Sequence, residues 1–244
     1  MVTEKETYSR HISQKFNEEL SELKNQLLSM GGLVEQQIAD AVEALVNLNS
    51  EEAQRIRERD YEVDQLEVAI DEEAIRVIAL RQPAASDLRL VMSVIKMVAD
   101  LERIGDEAKK VAKLTLELAR DSEASAPPSH VEVRNISRHV RAMVRDALDA
   151  FSRFDTEQAF AVMREDDAVD DEYKSAARAL MTHMMEDPRS ISGCMNHMWV
   201  LRALERVGDH ADNLAEHVIF MVKGTDVRHT PAEEVEAVLR KEDE

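Results

Sequence analysis

The chain has 244 residues, with 31 Lys and Arg against 50 Asp and Glu, so its formal net charge at pH 7 is −19. A field of this sign repels nucleic-acid phosphates and anionic lipid, which argues against direct DNA binding and favours cations or basic protein surfaces as partners. Gly (6), Pro (5) and aromatic residues (4%) are scarce. That composition excludes a turn-rich sheet protein and favours long helices.

The apolar residues in the first half of the chain recur every three or four positions, which is the period of an α-helix. They predict helices over about 9–48, from the new N-cap in the segment 49–52 to about 81, and over about 86–120, with Pro83 ending the second. A Gly-Gly pair at 31–32 interrupts the first pattern. We expect a weak point or a close packing contact there rather than a break in the helix.

A segment of small residues and prolines separates this half from a second helical half, and it is the predicted linker. Beyond it the same period predicts three more helices, over about 131–154, 157–186 and 191–223. The acidic C-terminal residues are expected to form a loosely held tail. The predicted boundaries are 1–121 for the first unit, 122–130 for the linker, 131–224 for the second unit and 225–244 for the flexible tail.

The two halves repeat one another in the same order, which indicates one structural unit used twice. Asn49, the predicted start of the second helix, opens the segment NSEEA, which matches DTEQA from Asp155. LERIGDEA at 101–108 matches LERVGDHA at 204–211. We therefore predict an all-α fold of six long helices, arranged as two pseudo-symmetric three-helix bundles.

Acidic residues stand where the helical period predicts a buried face. Glu102 and Asp106 continue the apolar face of the third helix, and Glu205 and Asp209 occupy the same places on the sixth. Carboxylates at i and i+4 lie one turn apart, where they repel each other, and burial adds a desolvation cost. Each pair therefore needs a compensating cation.

A second pair of acids lies at the margin of the neighbouring helix in each unit, four residues apart in both cases. If the helices run antiparallel, four carboxylates converge in each unit, and such oxygen donors suit magnesium, calcium, manganese or iron, or zinc when imidazole joins them. The second unit also offers two histidines. These further candidate metal ligands are Asp60, Asp64, Asp166, Asp170, His210 and His217.

The alternative is that arginine or lysine from a neighbouring helix neutralises these acids, as in an ordinary salt bridge. Repetition of the same spacing on an apolar face favours a cation site for the Glu102/Asp106 and Glu205/Asp209 pairs, and the marginal pairs are weaker candidates. No Gly-rich phosphate loop, G-x-S-x-G, H-E-x-x-H or E-x-x-H motif occurs in the chain. We therefore expect no catalytic residues, although a carboxylate-cluster enzyme and a metal- or phosphate-binding scaffold stay open as alternatives.

The single cysteine, Cys194, cannot form an internal disulfide, and no Cys/His zinc spacing includes it. This suits a reducing compartment. The N-terminal residues lack the basic start and apolar run of a signal peptide, and no apolar run approaches the roughly 20 residues needed to cross a bilayer. We expect a cytoplasmic protein that reaches a membrane only through its partners.

Four longer segments of the chain are specific enough to compare with known families: RDYEVD at 59–64, LRQPAASDLR at 80–89, DLERIGD at 100–106 and LERVGDHADN at 204–213. With these segments the chain resembles the PhoU family of phosphate transport accessory proteins, and the resemblance covers nearly the whole chain.

This resemblance implies two three-helix bundles and, in some members, iron or zinc clusters on the acidic motifs that here include Glu102, Asp106, Glu205 and Asp209. It also implies a negative regulator of phosphate uptake and of the phosphate-starvation response. Such a regulator couples the ATPase of a phosphate ABC transporter to a phosphate-sensing histidine kinase, commonly as a homodimer.

One position departs from the family pattern. Many members have Asn four residues after the last acid of the motif, as Asn213 is here, but the first unit has Lys110. Because a lysine can itself neutralise carboxylates, we expect tighter metal binding in the second unit than in the first.

Overall fold

A computed structural model describes residues 14–120, 130–228 and 230–240 of the chain. The described residues form helices and no strand, which confirms the all-α prediction. The predicted start of the first helix at 9–13 and most of the predicted linker lie outside the described residues. The helices are α1 (Gln14–Val46), α2 (Ser50–Arg81), α3 (Ala85–Arg120), α4 (Val131–Arg153), α5 (Thr156–Glu186), α6 (Ile191–Lys223) and α7 (Ala232–Arg240), with a 3-10 turn at Pro188–Ser190.

The same capping arrangement joins the first two helices of each unit. The Asn49 side chain accepts a hydrogen bond from the Glu52 backbone N–H at 3.1 Å, and Asp155 accepts one from Gln158 at 2.9 Å. Both acceptors satisfy an amide that the helix itself leaves without a partner. The repeat seen in the sequence is therefore a repeat of local structure as well.

Each unit is a three-helix bundle, as predicted: α1, α2 and α3 pack together, and so do α4, α5 and α6. The two bundles meet along α3 and α6, and α1 also packs against α4. Because α3 and α6 face both their own bundle and the other one, much of their length is buried. Leu101 and Ile104 on α3, and Leu204 and Val207 on α6, belong to one continuous apolar core.

Polar contacts also cross between the bundles. Ser93 Oγ on α3 donates to the backbone carbonyl of His217 at 3.3 Å, and Arg89 Nε donates to that of Met221 at 3.2 Å. Arg141 on α4 forms an ion pair of 3.2 Å with Glu35 on α1. These contacts orient one bundle against the other in addition to the apolar packing.

The C-terminal residues differ from the expected loose tail. Ala232–Arg240 forms the short helix α7, which packs on α5. Its Val235 and Leu239 are buried, as is Val227 in the preceding segment. The prediction of a flexible tail over 225–244 was wrong for this part, because two apolar residues one helical turn apart suffice to anchor a short helix. Within the described residues, no helix is long and apolar enough to cross a membrane.

The Gly-Gly pair lies within a continuous α1, and the two glycines differ in their surroundings. A Cβ added at Gly31 would overlap the side chain of Leu148 on α4, whereas one at Gly32 would meet nothing within 4 Å. Of the two expectations for this pair, close packing therefore holds at Gly31, where the two bundles approach each other.

We predict that Gly32→Ala stabilises the protein by up to about 1 kcal/mol, because alanine is the better helix former. Gly31→Ala should be less stable than Gly32→Ala by about 1–3 kcal/mol, since Leu148 must move. Urea unfolding of the two variants measures this difference. In a Leu148→Ala background, which is itself less stable because of the cavity, Gly31→Ala should cost less than it does in the original chain. Equal stabilities of the two alanine variants would contradict the packing contact.

Candidate functional site

The predicted acids gather in two clusters, one in each bundle. The first acidic cluster comprises Asp60 and Asp64 on α2 with Glu102 and Asp106 on α3; the second comprises Asp166 and Asp170 on α5 with Glu205 and Asp209 on α6. In each, a glycine of the longer helix lets a carboxylate approach. A Cβ at Gly105 would lie 3.5 Å from Asp60 Oδ1, and one at Gly208 would lie 3.5 Å from Asp166 Oδ1.

Asp60 is the most buried member of the first cluster, with a relative exposure of 2%. Its Oδ1 accepts a hydrogen bond of 3.0 Å from Gln37 Nε2 on α1. Its Oδ2 lies 2.6 Å from Lys109 Nζ, which is also 3.7 Å from Asp106 Oδ1. Two neighbours on different helices thus compensate this buried charge.

Glu102 and Asp106 of the first cluster have a second cation nearby. Arg103 Nε lies 3.5 Å from Glu102 Oε2, and Arg103 Nη1 lies 3.8 Å from Asp106 Oδ2. Burial, followed by the charge of Asp106, still raises the pKa of Glu102 above its usual value. The salt-bridge alternative therefore describes much of the first cluster.

The lysine that compensates the first cluster is not the one expected from the sequence. Lys110 Nζ instead contacts Glu107 Oε2 at 3.2 Å, and Arg206 of the other bundle lies 3.3 Å from Glu107 Oε1. The expectation that Lys110 would neutralise the cluster was therefore wrong. The lysine that does so is its neighbour Lys109, which points toward α2.

The second cluster lacks both compensating groups of the first; its own cations are Arg202, which pairs with Glu205, and Lys174, whose Nζ lies 3.0 Å from Asp170 Oδ2. Lys109 corresponds in the repeat to Asp212, which adds an acid instead of a cation, and Gln37 corresponds to Met143, which has no hydrogen-bond donor. Burial, followed by the charges of Asp209 and Asp170, raises the pKa of Asp166 to about 6. Burial and the charge of Glu216 raise the pKa of Asp212 to about 7.

Glu205 is the most buried acid of the second cluster, with a relative exposure of 5%. Its Oε1 is paired with Arg202 Nη1, but its Oε2 is buried without a hydrogen-bond partner. Burial, followed by the charge of Asp209, raises the pKa of Glu205 to about 7, against the opposing effect of Arg202. A buried carboxylate oxygen with no partner indicates missing positive charge or missing donors.

The chemistry of the second cluster fits a bound cation, since it offers carboxylate oxygens and excess negative charge. Among the described residues, however, no three carboxylate, imidazole or thiolate groups stand in an arrangement that would hold a metal ion. Binding would therefore require side-chain movement. In the first cluster, Lys109 Nζ already lies where a cation would approach Asp60. The metal site remains a prediction, and the observations that support it are those made on the second cluster.

The two predicted nitrogen ligands contact a residue that was not among the candidates. His210 Nδ1 lies 2.9 Å from Asp100 Oδ1, and His217 Nε2 lies 3.2 Å from Asp100 Oδ2. Asn213 Nδ2 donates to Asp100 Oδ1 at 3.1 Å. Burial alone raises the pKa of Asp100, but these hydrogen bonds outweigh it and lower the pKa to about 2.

Asp100 lies on α3 and its partners lie on α6, so this contact joins the two bundles. The sequence contains a signal for this contact, because the two repeats differ at the positions that form it. Asp100 corresponds to Ala203, and His210 corresponds to Glu107. At these two positions the repeats differ because the residues face the other unit: Asp100 meets His210, and Glu107 meets Arg206.

Comparisons with known proteins agree with this architecture. The sequence profile of the PhoU domain matches residues 27–115 and 133–218. The chain is 56% identical to the phosphate-specific transport system accessory protein PhoU homolog of Pseudomonas putida, over 92% of this chain and 87% of the relative. It is 44% identical to the phosphate-specific transport system accessory protein PhoU of Escherichia coli K12, over 96% of both chains.

Solved structures show the same fold. The crystal structure of PhoU from Pseudomonas aeruginosa matches with a TM-score of 0.82 at 55% identity, over 86% of this chain and all of that one. The phosphate transport system regulatory protein PhoU from Streptococcus pneumoniae matches with a TM-score of 0.79 at 29% identity, over 87% and 99%.

We predict that, without divalent cations, the protein becomes less stable as the pH rises from about 4 to 7. The carboxyls of Asp166, Glu205 and Asp212 have folded-state pKa values of about 6, 7 and 7, above the roughly 4 expected for unfolded chains. The folded state therefore binds more protons in this window, and its stabilisation is fully present below the window and lost above it.

Urea unfolding at several pH values in a chelating buffer measures this trend, and Glu205→Gln should flatten it. The exposed Glu62→Gln serves as a control and should leave the slope unchanged. His130 and the buried His197, whose pKa values are lowered by burial, act in the opposite direction in this window, so the comparison between variants is decisive: the same slope in the original chain and in Glu205→Gln would contradict the excess negative charge of the second cluster.

Proposed function

Because the chain belongs to the PhoU family, we propose that it acts as a regulatory adaptor of a phosphate transport system rather than as an enzyme. In this role it is a negative regulator of phosphate uptake and of the phosphate-starvation response. It links the ATPase of a phosphate ABC transporter to a phosphate-sensing histidine kinase. The observation that supports this most is the match, over nearly the full length of both chains, to proteins named as phosphate transport accessory proteins.

The charge of the molecule is consistent with an adaptor. A net charge of −19 steers encounters with basic protein surfaces and makes them sensitive to salt. The proposal includes a cytoplasmic location, contact with membranes only through partners, and the homodimer expected from the family resemblance. No described group of residues favours a carboxylate-cluster enzyme over the adaptor role.

We also propose that the second acidic cluster binds a divalent cation, whereas the first does not need one. Asp166, Asp170, Glu205 and Asp209 would hold it, with Asp212 adding negative charge. When bound, the cation would supply positive charge between α5 and α6. The support is the buried, unpartnered Glu205 Oε2 and the exchange of Lys109 for Asp212 between the repeats.

The adaptor role predicts repression in a bacterial strain that lacks its own family member. A reporter gene controlled by a phosphate-starvation promoter should be active in that strain at high phosphate and should be silenced when this chain is expressed. Co-purification from membranes should recover the transporter ATPase and the kinase at low salt, and less of both at high salt. A reporter that stays active beside a stable, folded chain would contradict the proposal.

The cation proposal predicts opposite effects from two matched substitutions. Adding Mn²⁺, Mg²⁺ or Zn²⁺ should raise the melting temperature of the chelated original chain, since a ligand at 100 times its Kd stabilises by about 2.7 kcal/mol. Asp212→Lys, which copies the first cluster, should abolish that rise and raise the melting temperature of the chelated protein. Lys109→Asp, which copies the second cluster, should enlarge the response to the cation.

Two control variants, Arg57→Ser and Glu62→Gln, each change one charge at an exposed position outside both clusters. The melting temperature of both should respond to the cation as that of the original chain does. Metal content measured after dialysis gives an independent readout for the same set. An unchanged response in Asp212→Lys would show that the cation binds elsewhere, and the adaptor role would stand without it.

A further inference from the structure

An open groove lies between α1 and α4, where the first bundle meets the second. Its volume is about 720 Å³, and its walls come from the C-terminal half of α1 and the N-terminal half of α4. None of the predicted site residues lines it. Small-molecule sites in proteins have volumes of this order, roughly 300–1,000 Å³, and are often found between packed units.

The groove is basic although the protein is acidic. Residues 131–145 of α4 contain four arginines and one glutamate. Three of the arginines, Arg134, Arg138 and Arg141, line the groove. Because they are spaced by four and three residues, they lie on one face of the helix. Glu43 is the single acidic residue among the described residues that line this groove.

Two of these arginines have no acidic partner among the described residues. Arg141 is held by Glu35 at 3.2 Å. Arg138, by contrast, donates to the side-chain oxygen of Asn135 and to the backbone carbonyl of Arg134, which are both uncharged. Arg134 forms no ion pair within the described part of the chain. In a protein of net charge −19, two guanidinium groups left without a carboxylate favour an external anion.

The other walls of the groove suggest what the anion carries. Ala39, Val42 and Val131 supply apolar surface, and Asn47 and Asn135 supply amide groups that can both donate and accept hydrogen bonds. Bare phosphate would leave the apolar surface and most of the volume unused. A ligand that combines phosphoryl groups with a flat, partly apolar ring would contact the arginines, the apolar side chains and the amide groups together.

We propose that this groove binds an organic phosphate of nucleoside diphosphate size, with its phosphoryl groups on Arg134 and Arg138. The planar guanidinium group matches phosphate oxygens with two parallel hydrogen bonds. Seven residues of helix separate Arg134 from Arg141, which is about 10 Å at the standard rise, enough for two linked phosphoryl groups and a sugar. The site uses no residue of the acidic clusters and does not depend on a bound cation.

Titration calorimetry of the full chain with ADP, in chelating buffer so that the acidic clusters hold no metal, tests this site. We expect saturable binding to the original chain and at least a tenfold weaker Kd in Arg134→Ser/Arg138→Ser. The matched control is Arg57→Ser/Arg164→Ser, which removes the same charge at exposed positions away from the groove and should bind ADP as the original chain does. Asn47→Asp, which adds a negative charge to the opposite wall, should also weaken binding.

Three further probes separate the sources of affinity. Orthophosphate, tripolyphosphate and adenosine should each bind more weakly than ADP, because each contacts only part of the groove. Tripolyphosphate binding as tightly as ADP would overturn the nucleoside assignment, and equal loss in both double variants would show general electrostatic attraction instead of a site. Absence of ADP binding at millimolar concentration in the original chain would overturn the proposal. Since these variants leave the acidic clusters intact, this outcome is independent of the cation and adaptor tests.

Discussion

The packing of α3 against α6 is the contact on which the rest of the structure depends. Both helices are buried by their own bundle and by the other one, so their apolar residues form one core across the molecule. A buried aspartate would ordinarily weaken such a contact. Asp100 instead has two histidines and an asparagine from α6 around its carboxylate, so side chains of the other bundle compensate its charge. Any displacement of one bundle against the other would break these hydrogen bonds.

The two bundles share a backbone plan but differ in electrostatics. In the first, Lys109 and Gln37 compensate the buried Asp60. In the second, Asp212 and Met143 stand at the corresponding places, and Asp166 and Glu205 are left with raised pKa values. A duplicated unit can thus keep one copy as a stable support while the other copy retains uncompensated charge that a ligand can satisfy.

The contact between the two bundles also forms the groove between α1 and α4. Arg141 reaches across to Glu35, whereas Arg134 and Arg138, nearer the start of α4, form no ion pair with any described residue. Acidic and basic features are therefore separated in space, with each carboxylate cluster between two helices of one bundle, where Asp60 and Glu205 are buried and Asp209 is exposed, and the arginines between the two bundles. The proposed cation site and the proposed organic phosphate site therefore lie at different places and share no residue.

The sequence by itself determined the helices, the two-unit repeat and the identity of both acidic clusters. Helical periodicity, capping residues such as Asn49 and the E-x-x-x-D spacing are local, so they can be recognised without knowing what packs against them. The tertiary structure alone decided which charges are compensated. Lys109 and Lys110 are neighbours in sequence, and only the placement of α2 showed that Lys109 meets Asp60. Likewise, the contact of His210 with Asp100 joins residues 110 positions apart. The local pattern could suggest His210 as a metal ligand but could not reveal the partner that the other bundle supplies.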